Sequence, residues 1–327
     1  MFTHSYLLAL DGSKESHAAA TVAWKLTQAQ NAKLVALSVV DSQAIWDLLG
    51  FGTPGFIGSG AYFAAYETIL TALRTVSETL LTSFESRSEN QAINTECLIT
   101  EGNLLRQIFE QSKEHNLVIV GHRNTHTSSA ILDQHSLIRT SLSKRLAGIC
   151  PCPLLIVPSD KAWTKARLVF SNESFSPDAL AQFLTFTDPL ELEREVFCVG
   201  PEENIAKLVQ KVKSLVPHSV KVLCLDAAED EPFASAVDVT ADTLLVVTTI
   251  QSIEGRETYA GTRIHDFLTS IPSVTVLVLP PGAATEVTEV EKVVKVGKAV
   301  KVGKAEKRSS NRTVEKFRAV LSNLNVI

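Results

Sequence analysis

Short apolar runs and polar breaks alternate along this chain at a spacing that predicts strands separated by helices. Tyr6-Leu7-Leu8-Ala9-Leu10 stops at Asp11-Gly12-Ser13, the pattern of a buried strand ending in a turn. Ser13 or Ser16 is placed to cap the next helix, whose apolar face repeats at Ala19, Val22, Ala23 and Leu26. A second strand spans Leu34 to Val40 and ends at Asp41. A long loop follows with five glycines, Gly50, Gly52, Gly55, Gly58 and Gly60. A loop of that length reads as a lid, a binding loop or a disordered insert. A long helix is expected from about Tyr62 to Ser86, with an apolar stripe through Tyr66, Ile69, Leu70, Leu73, Val76, Leu80 and Phe84.

The third strand, Thr95 to Thr100, turns at Glu101-Gly102-Asn103, and Leu104, Leu105, Ile108 and Phe109 mark the helix after it. The apolar run Leu117-Val118-Ile119-Val120 ends at Gly121. A polar loop and a short helix near Thr140 to Leu146 precede Pro151-Cys152-Pro153 and the run Leu154-Leu155-Ile156-Val157. Strand, glycine, helix start and strand is an arrangement that aims backbone N–H groups at phosphate. Strands alternating with helices predict an α/β fold with a doubly wound parallel sheet, whose ligands sit beyond the carboxyl ends of the strands. Asp11, Asp41, Gly102 and Gly121 all fall there.

After a connector around Trp163 the pattern repeats more faintly. Leu168 to Ser171 reads as a strand, a helix starts near Ser176-Pro177-Asp178, and strands follow at Glu195–Val199, Val220–Leu225, Thr243–Val247 and Ser273–Leu279. Beyond Pro280-Pro281-Gly282, Val294–Ala299 recurs unchanged as Val300–Ala305, a basic low-complexity tract. A last amphipathic segment carries Val314, Phe317, Val320, Leu321 and Leu324.

Charge sharpens this division. The net charge is −5, but from Ala284 onward ten Lys/Arg face five Asp/Glu, so the tail carries +5 and the rest −10. The acidic globular part argues against a nucleic-acid surface; the tail is open to acidic partners or nucleic acid, with a solvated linker the plainer reading. Five scattered cysteines fit a reducing interior, and neither a signal peptide nor an apolar run of about eighteen residues is present. A cytoplasmic location and no membrane span are the expectation.

With these residues in view, the chain resembles the universal stress protein family in tandem form. Leu8-Ala9-Leu10-Asp11-Gly12-Ser13-Lys14-Glu15-Ser16 is similar to the family's opening strand and turn, Ser38-Val39-Val40-Asp41 to its second strand end, and Glu101-Gly102-Asn103 to its glycine turn. Ser141-Leu142-Ser143-Lys144-Arg145-Leu146 with Cys150–Val157 resembles its end. Nucleotide-binding members read Gly-x-x-Gly, nine residues, then Gly with Ser or Thr. Here Gly121 is kept, Asn124 and Thr140 stand at the other two glycines, and fifteen residues separate them. The resemblance implies two Rossmann-like domains, at 1–159 and 166–282, packed as a pseudo-dimer through their last strands, with a tail at 283–327. It also implies an adenine nucleotide site, for ATP with its accompanying Mg, made by Asp11, Val39, Gly121, Asn124, Thr140, Ser141 and Leu142. In the second half Asn172, Thr248 and Gln251 replace family residues, whereas Gly261-Thr262 keeps the spacing, so that half reads as a degenerate copy.

Each candidate has a plainer reading beside it. Asp11 contacts a nucleotide or only caps its turn; Ser141 holds phosphate or only caps a helix. Arg123, Arg139, Lys144 and Arg145 neutralise phosphates or form a solvated face. His122 and His126 stand four apart, with Asp133 and His135 as the available third ligands, and polar loop residues are the better reading than a metal site. Cys150 and Cys152 flank a proline, and small core residues are a better reading than a redox pair. No nucleophile–base arrangement is legible. The expectation is a stress-response or regulatory protein whose first domain binds an adenine nucleotide as a switch. The alternatives are a nucleotide-free interaction protein and, third, a slow ATPase; protein partners and further oligomers are not identified.

Overall fold

The computed structural model describes residues 4–50, 59–122, 141–171, 174–200, 202–225, 239–252, 255–258 and 263–281. Asn124, Thr140, Asn172, Gly261, Thr262, His126 and the basic tail lie outside the described residues, and so do Arg123, Arg139, Asp133 and His135. The first half runs β1 (Ser5–Ala9), α1 (Lys14–Gln30), β2 (Lys33–Val40), α2 (Ser42–Gly50), α3 (Ser59–Asn90), β3 (Thr95–Glu101), α4 (Leu104–Ser112), β4 (Leu117–Gly121), α5 (Leu142–Ala147) and β5 (Leu154–Val157). The second half runs β6 (Lys165–Ser171), α6 (Pro177–Thr187), β7 (Glu193–Val199), α7 (Glu202–Leu215), β8 (Lys221–Leu225), β9 (Thr243–Thr248), the hairpin β10 (Ile250–Ser252) and β11 (Gly255–Glu257), α8 (Ile264–Ser270) and β12 (Thr275–Leu279).

Ten strands form one sheet in the order β3-β2-β1-β4-β5-β12-β9-β6-β7-β8. Every pairing in it is parallel except β5 with β12, where Leu155 faces Leu277 across an antiparallel ladder. Read from that central seam outward, the two halves have the same strand order. A parallel sheet has helices on both faces, so its strands bury successive residues to opposite sides. Leu8, Leu34, Ile119 and Leu155 join one core layer, which includes Trp24, Phe84 and Phe183 from helices. Leu7, Val35, Val118 and Ile156 join the other, with Ile108, Leu146 and Phe267. That two-sided burial is why the strands read as unbroken apolar runs.

Local chemistry sets the helix starts. Ser13 Oγ accepts the Ser16 backbone N–H at 3.1 Å, so Ser13 is the cap of α1, while the Ser16 hydroxyl donates back to the Ser13 carbonyl. Ser176 caps α6 in the same way, with proline at the first helical position.

The structure corrects two sequence expectations. Residues 42–50, read as the start of the glycine loop, are helix: Asp41 Oδ1 accepts the Ala44 N–H at 3.0 Å and starts α2, while Gly52, Gly55 and Gly58 lie outside the described residues. The stripe of α3 is also shifted. Leu81 and Phe84 are buried, with Phe84 stacked on Trp24, whereas Leu73 and Val76 are exposed. The first turns of α3 instead gather aromatic side chains around Trp46 of α2, with Tyr66 stacked at 4.3 Å and Phe63 edge-on at 5.9 Å. Tertiary contact with α2, invisible in the helical period of α3, decides which face is covered.

Candidate functional site

Strand order reverses between β1 and β4: from β1 the chain steps to β2 on one side, and β4 lies on the other. At the carboxyl ends of such a pair a crevice forms by topology alone. Here it encloses roughly 260 Å³. Its apolar side is built by Ala9, Val39, Leu104 and Ile108, and its polar rim by Asp11, Ser13, Ser141 and Ser143.

The rim is built from turn chemistry. Asp11 is exposed, and its Oδ1 accepts the Ser13 N–H at 2.9 Å across Gly12, whose φ of 78° suits a residue without a β-carbon. Turn capping and a place on the crevice rim thus fall to the same carboxylate. Gly121 has a different reason from the one its motif suggests. A β-carbon there would lie 2.5 Å from the Glu15 carbonyl carbon and 2.7 Å from the Ser16 nitrogen. Close packing of β4 on the first turn of α1 therefore demands glycine, whatever the crevice binds.

Ser141 sits at the start of α5 but makes no side-chain capping bond. Its hydroxyl instead lies 3.1 Å from Ser143 Oγ, and Ser143 Oγ lies 2.8 Å from His122 Nδ1. His122 and Ser143 are buried, so this row of polar groups runs from the crevice into the interior. Burial holds the His122 imidazole below its ordinary pKa, the Lys144 charge adds to that, and Glu15 partly offsets both. His122 is therefore the neutral end of the row at neutral pH. Its Nδ1 is engaged with Ser143, away from a metal-ligand role, and the described residues contain no group of three metal-ligating side chains.

The structure brings Asp11, Val39, Gly121, Ser141 and Leu142 to the crevice. Lys144, read as a candidate phosphate partner, points elsewhere: its Nζ donates to Thr269 Oγ1 at 2.6 Å on α8. Ser143 and His122 were not singled out together by sequence reasoning. The signal available was the serine two residues after Ser141, which a short helix turns toward β4.

In the second half, Thr248 ends β9, and its hydroxyl donates to the Ser174 carbonyl at 3.2 Å. Gln251, placed by the sequence at the second glycine, pairs with Arg256 in the β10–β11 hairpin. That hairpin sends Arg256 across to the first half, where Nη1 donates to the Ala147 carbonyl at 3.1 Å.

The family model of the universal stress protein family matches residues 4–158. Among solved structures, a universal stress protein from Archaeoglobus fulgidus is similar at 13% identity and a TM-score of 0.59, covering 85% of this chain and 98% of its own. A functionally unknown protein from Pseudomonas aeruginosa is similar at 12% identity and a TM-score of 0.53, covering 90% of this chain and 97% of its own. No curated protein matches the chain. These two likenesses extend the shared fold over both halves, and no helix among the described residues is long and apolar enough to cross a membrane. Residues 4–158 thus carry a domain that matches the universal stress protein family.

Proposed function

We propose that the crevice at the ends of β1 and β4 binds an adenine nucleotide and that the first half acts as a ligand-dependent regulatory domain. The observation that carries this reading is the composition of the crevice. Ala9, Val39, Leu104 and Ile108 offer apolar surface to a flat base, and Asp11 offers an acceptor for ribose hydroxyls. Ser141 Oγ stands on the same rim as a donor toward phosphate. The described lining carries Asp11 and Glu15 but no Lys or Arg. Phosphate charge at this rim therefore calls for a cation brought with the nucleotide, which is the place of Mg in the reading. Asn124 and Thr140 complete the site in this proposal. Ligand binding would be read out at the surface around the ends of β1 and β4, where partners of the switch would engage.

Calorimetric titration with ATP, AMP and adenosine, each with and without Mg, tests the reading. Binding that needs the adenosine part and is lost in Val39→Trp supports it. No heat up to millimolar concentrations of all three ligands overturns it.

A second reading, a nucleotide-free interaction protein, is favoured by one observation. Trp46, Phe63, Leu73 and Val76 of α2 and α3, and Ile99 of the edge strand β3, are all exposed. Exposed apolar side chains gathered in one region of a surface mark interaction sites. Retained partner capture by a chain that binds no nucleotide would select this reading.

A further inference from the structure

The seam between the halves holds a second piece of chemistry, apart from the crevice. Cys150 and Cys152 bracket Pro151 just before β5, and their Sγ atoms lie 3.9 Å apart. Cys150 is fully buried, and Cys152 is half-buried. Arg256 extends from the β11 strand of the other half to the end of α5, three residues before Cys150. Its side chain is 8% exposed, and its one hydrogen bond to a described residue goes to the Ala147 carbonyl. A guanidinium taken out of water costs several kcal/mol unless opposite charge faces it. Among the described residues no carboxylate pairs with Arg256, and the groups its charge acts on are Cys150 and Cys152.

We propose that Cys150 and Cys152 are a redox-active thiol pair, with Arg256 as counter-charge to their shared thiolate, which peroxide converts to a disulfide. Four influences favour the thiolate at Cys150: the S–H and the backbone N–H of Cys152, the hydroxyl of Ser112 and the charge of Arg256. Burial acts against them, and Cys152 keeps the proton. Oxidant arrives at the half-exposed Cys152. The shared proton passes to Cys150, and the Cys152 thiolate takes one oxygen of hydrogen peroxide, breaking the O–O bond and releasing hydroxide. That hydroxide removes the proton from Cys150 as water. The Cys150 thiolate then attacks the Cys152 sulfur and expels its hydroxide. Two electrons move from the sulfurs to peroxide, and the products are one disulfide, one water and one hydroxide. The reaction removes the negative charge beside Arg256, so the redox state is coupled to how firmly the second half's hairpin grips the end of α5.

The test is peptide mapping by mass spectrometry of the full chain, reduced and then exposed to hydrogen peroxide. The expected product is a peptide containing Cys150 and Cys152 that has lost two hydrogens and regains them with dithiothreitol. Arg256→Met is expected to form the same link about threefold more slowly. The smaller thiolate fraction without that charge is partly offset by the higher nucleophilicity of the remaining thiolate. Arg256→Lys, which keeps the charge, is expected to react at nearly the parental rate. Both thiols still alkylated after oxidation, added oxygen without a link, or a link confined to Cys198 and Cys224 would each overturn the proposal. The mapping of the parent chain stands even if the arginine variants do not fold.

Discussion

The two halves of the sheet end equivalent strands in opposite ways. β4 ends at Gly121, where the missing β-carbon lets the first turn of α1 close on the strand, and a crevice remains over Val120, Gly121 and Ser141. β9 occupies the same place in the second half and ends at Thr248, with Thr249 next in the chain. Both hydroxyls are spent on the neighbouring backbone, Thr248 on the Ser174 carbonyl and Thr249 on the Leu279 carbonyl at 3.0 Å. Topology supplies a crevice at each reversal of strand order, and the side chains at the strand ends decide whether its polar groups face a ligand or each other. Ion pairs contrast in burial rather than by half, since Lys221–Glu193 of the second half is open to solvent as well. The ion pair Arg167–Glu195 of the second half is buried at 2.6 Å, with side chains 7% and 9% exposed, whereas Lys33–Glu96 of the first half is open to solvent.

The largest break in this comparison should come from Gly121→Val. The new side chain would run into the Glu15 backbone, and we expect a loss of about 3 kcal/mol or more in urea unfolding. Thr248→Val should cost under about 2 kcal/mol, since it removes one hydrogen bond at nearly constant shape. Equal costs at the two positions would remove the close-packing account of Gly121. Because the valine damages packing directly, it is a stability probe and a poor test of ligand binding.

Glu195→Ala should cost about 3–5 kcal/mol, because Arg167 would be left in the interior without that carboxylate. Glu96→Ala should cost under about 1 kcal/mol, since water and salt already screen its partner Lys33. Denaturation midpoints that move equally in the two variants would show that burial does not separate the pairs.

Ligand affinity should respond in the first half. Val39→Trp is expected to weaken nucleotide binding at least about tenfold by filling the apolar side of the crevice, and Ser141→Ala about three- to tenfold by removing one donor. Thr248→Val, in the second half, should leave the titration unchanged.

The smallest effect should be in pH. Burial lowers the pKa values of His115 and His122 in the first half and His265 in the second. The charges near His265 pull both ways, with burial the largest influence. In the window just below the ordinary histidine pKa, the unfolded chain therefore binds protons that the native chain does not. Stability is full above that window and falls as pH drops through it, toward the folded values. Urea midpoints at pH 7.5 and 5.5, the two values being choices of about one unit on either side of 6.5, should show the decline. His122→Asn should flatten it, since burial no longer holds a neutral imidazole there.

Much of this molecule is legible without its coordinates. The runs at Leu7, Leu34, Leu117, Leu154, Leu168 and Leu244 are strands because a sheet covered on both faces needs unbroken apolar sequence. The turn at Asp11-Gly12-Ser13 is equally local, as an aspartate oxygen, a positive φ and a serine cap act within a few residues. The helix after Asp41 was missed because its single cap signal is followed by a glycine-rich stretch that reads as loop. The stripe of α3 was misplaced because a helix of thirty-two residues offers more apolar positions than one sheet face covers.

Sequence by itself determined the alternation of strands and helices, the repeat of that pattern, and the residues that meet at the ends of β1, β2 and β4. Only the tertiary structure decided what those residues do. It turned Gly121 from a loop signature into a packing requirement, linked Ser141 through Ser143 to His122, and drew Lys144 away to Thr269. It also set Arg256 beside Ala147, 109 residues away in the chain. The physical reason is range: hydrophobic period and turn chemistry act between near neighbours, whereas a buried charge or a close backbone approach depends on a second segment that only folding brings there.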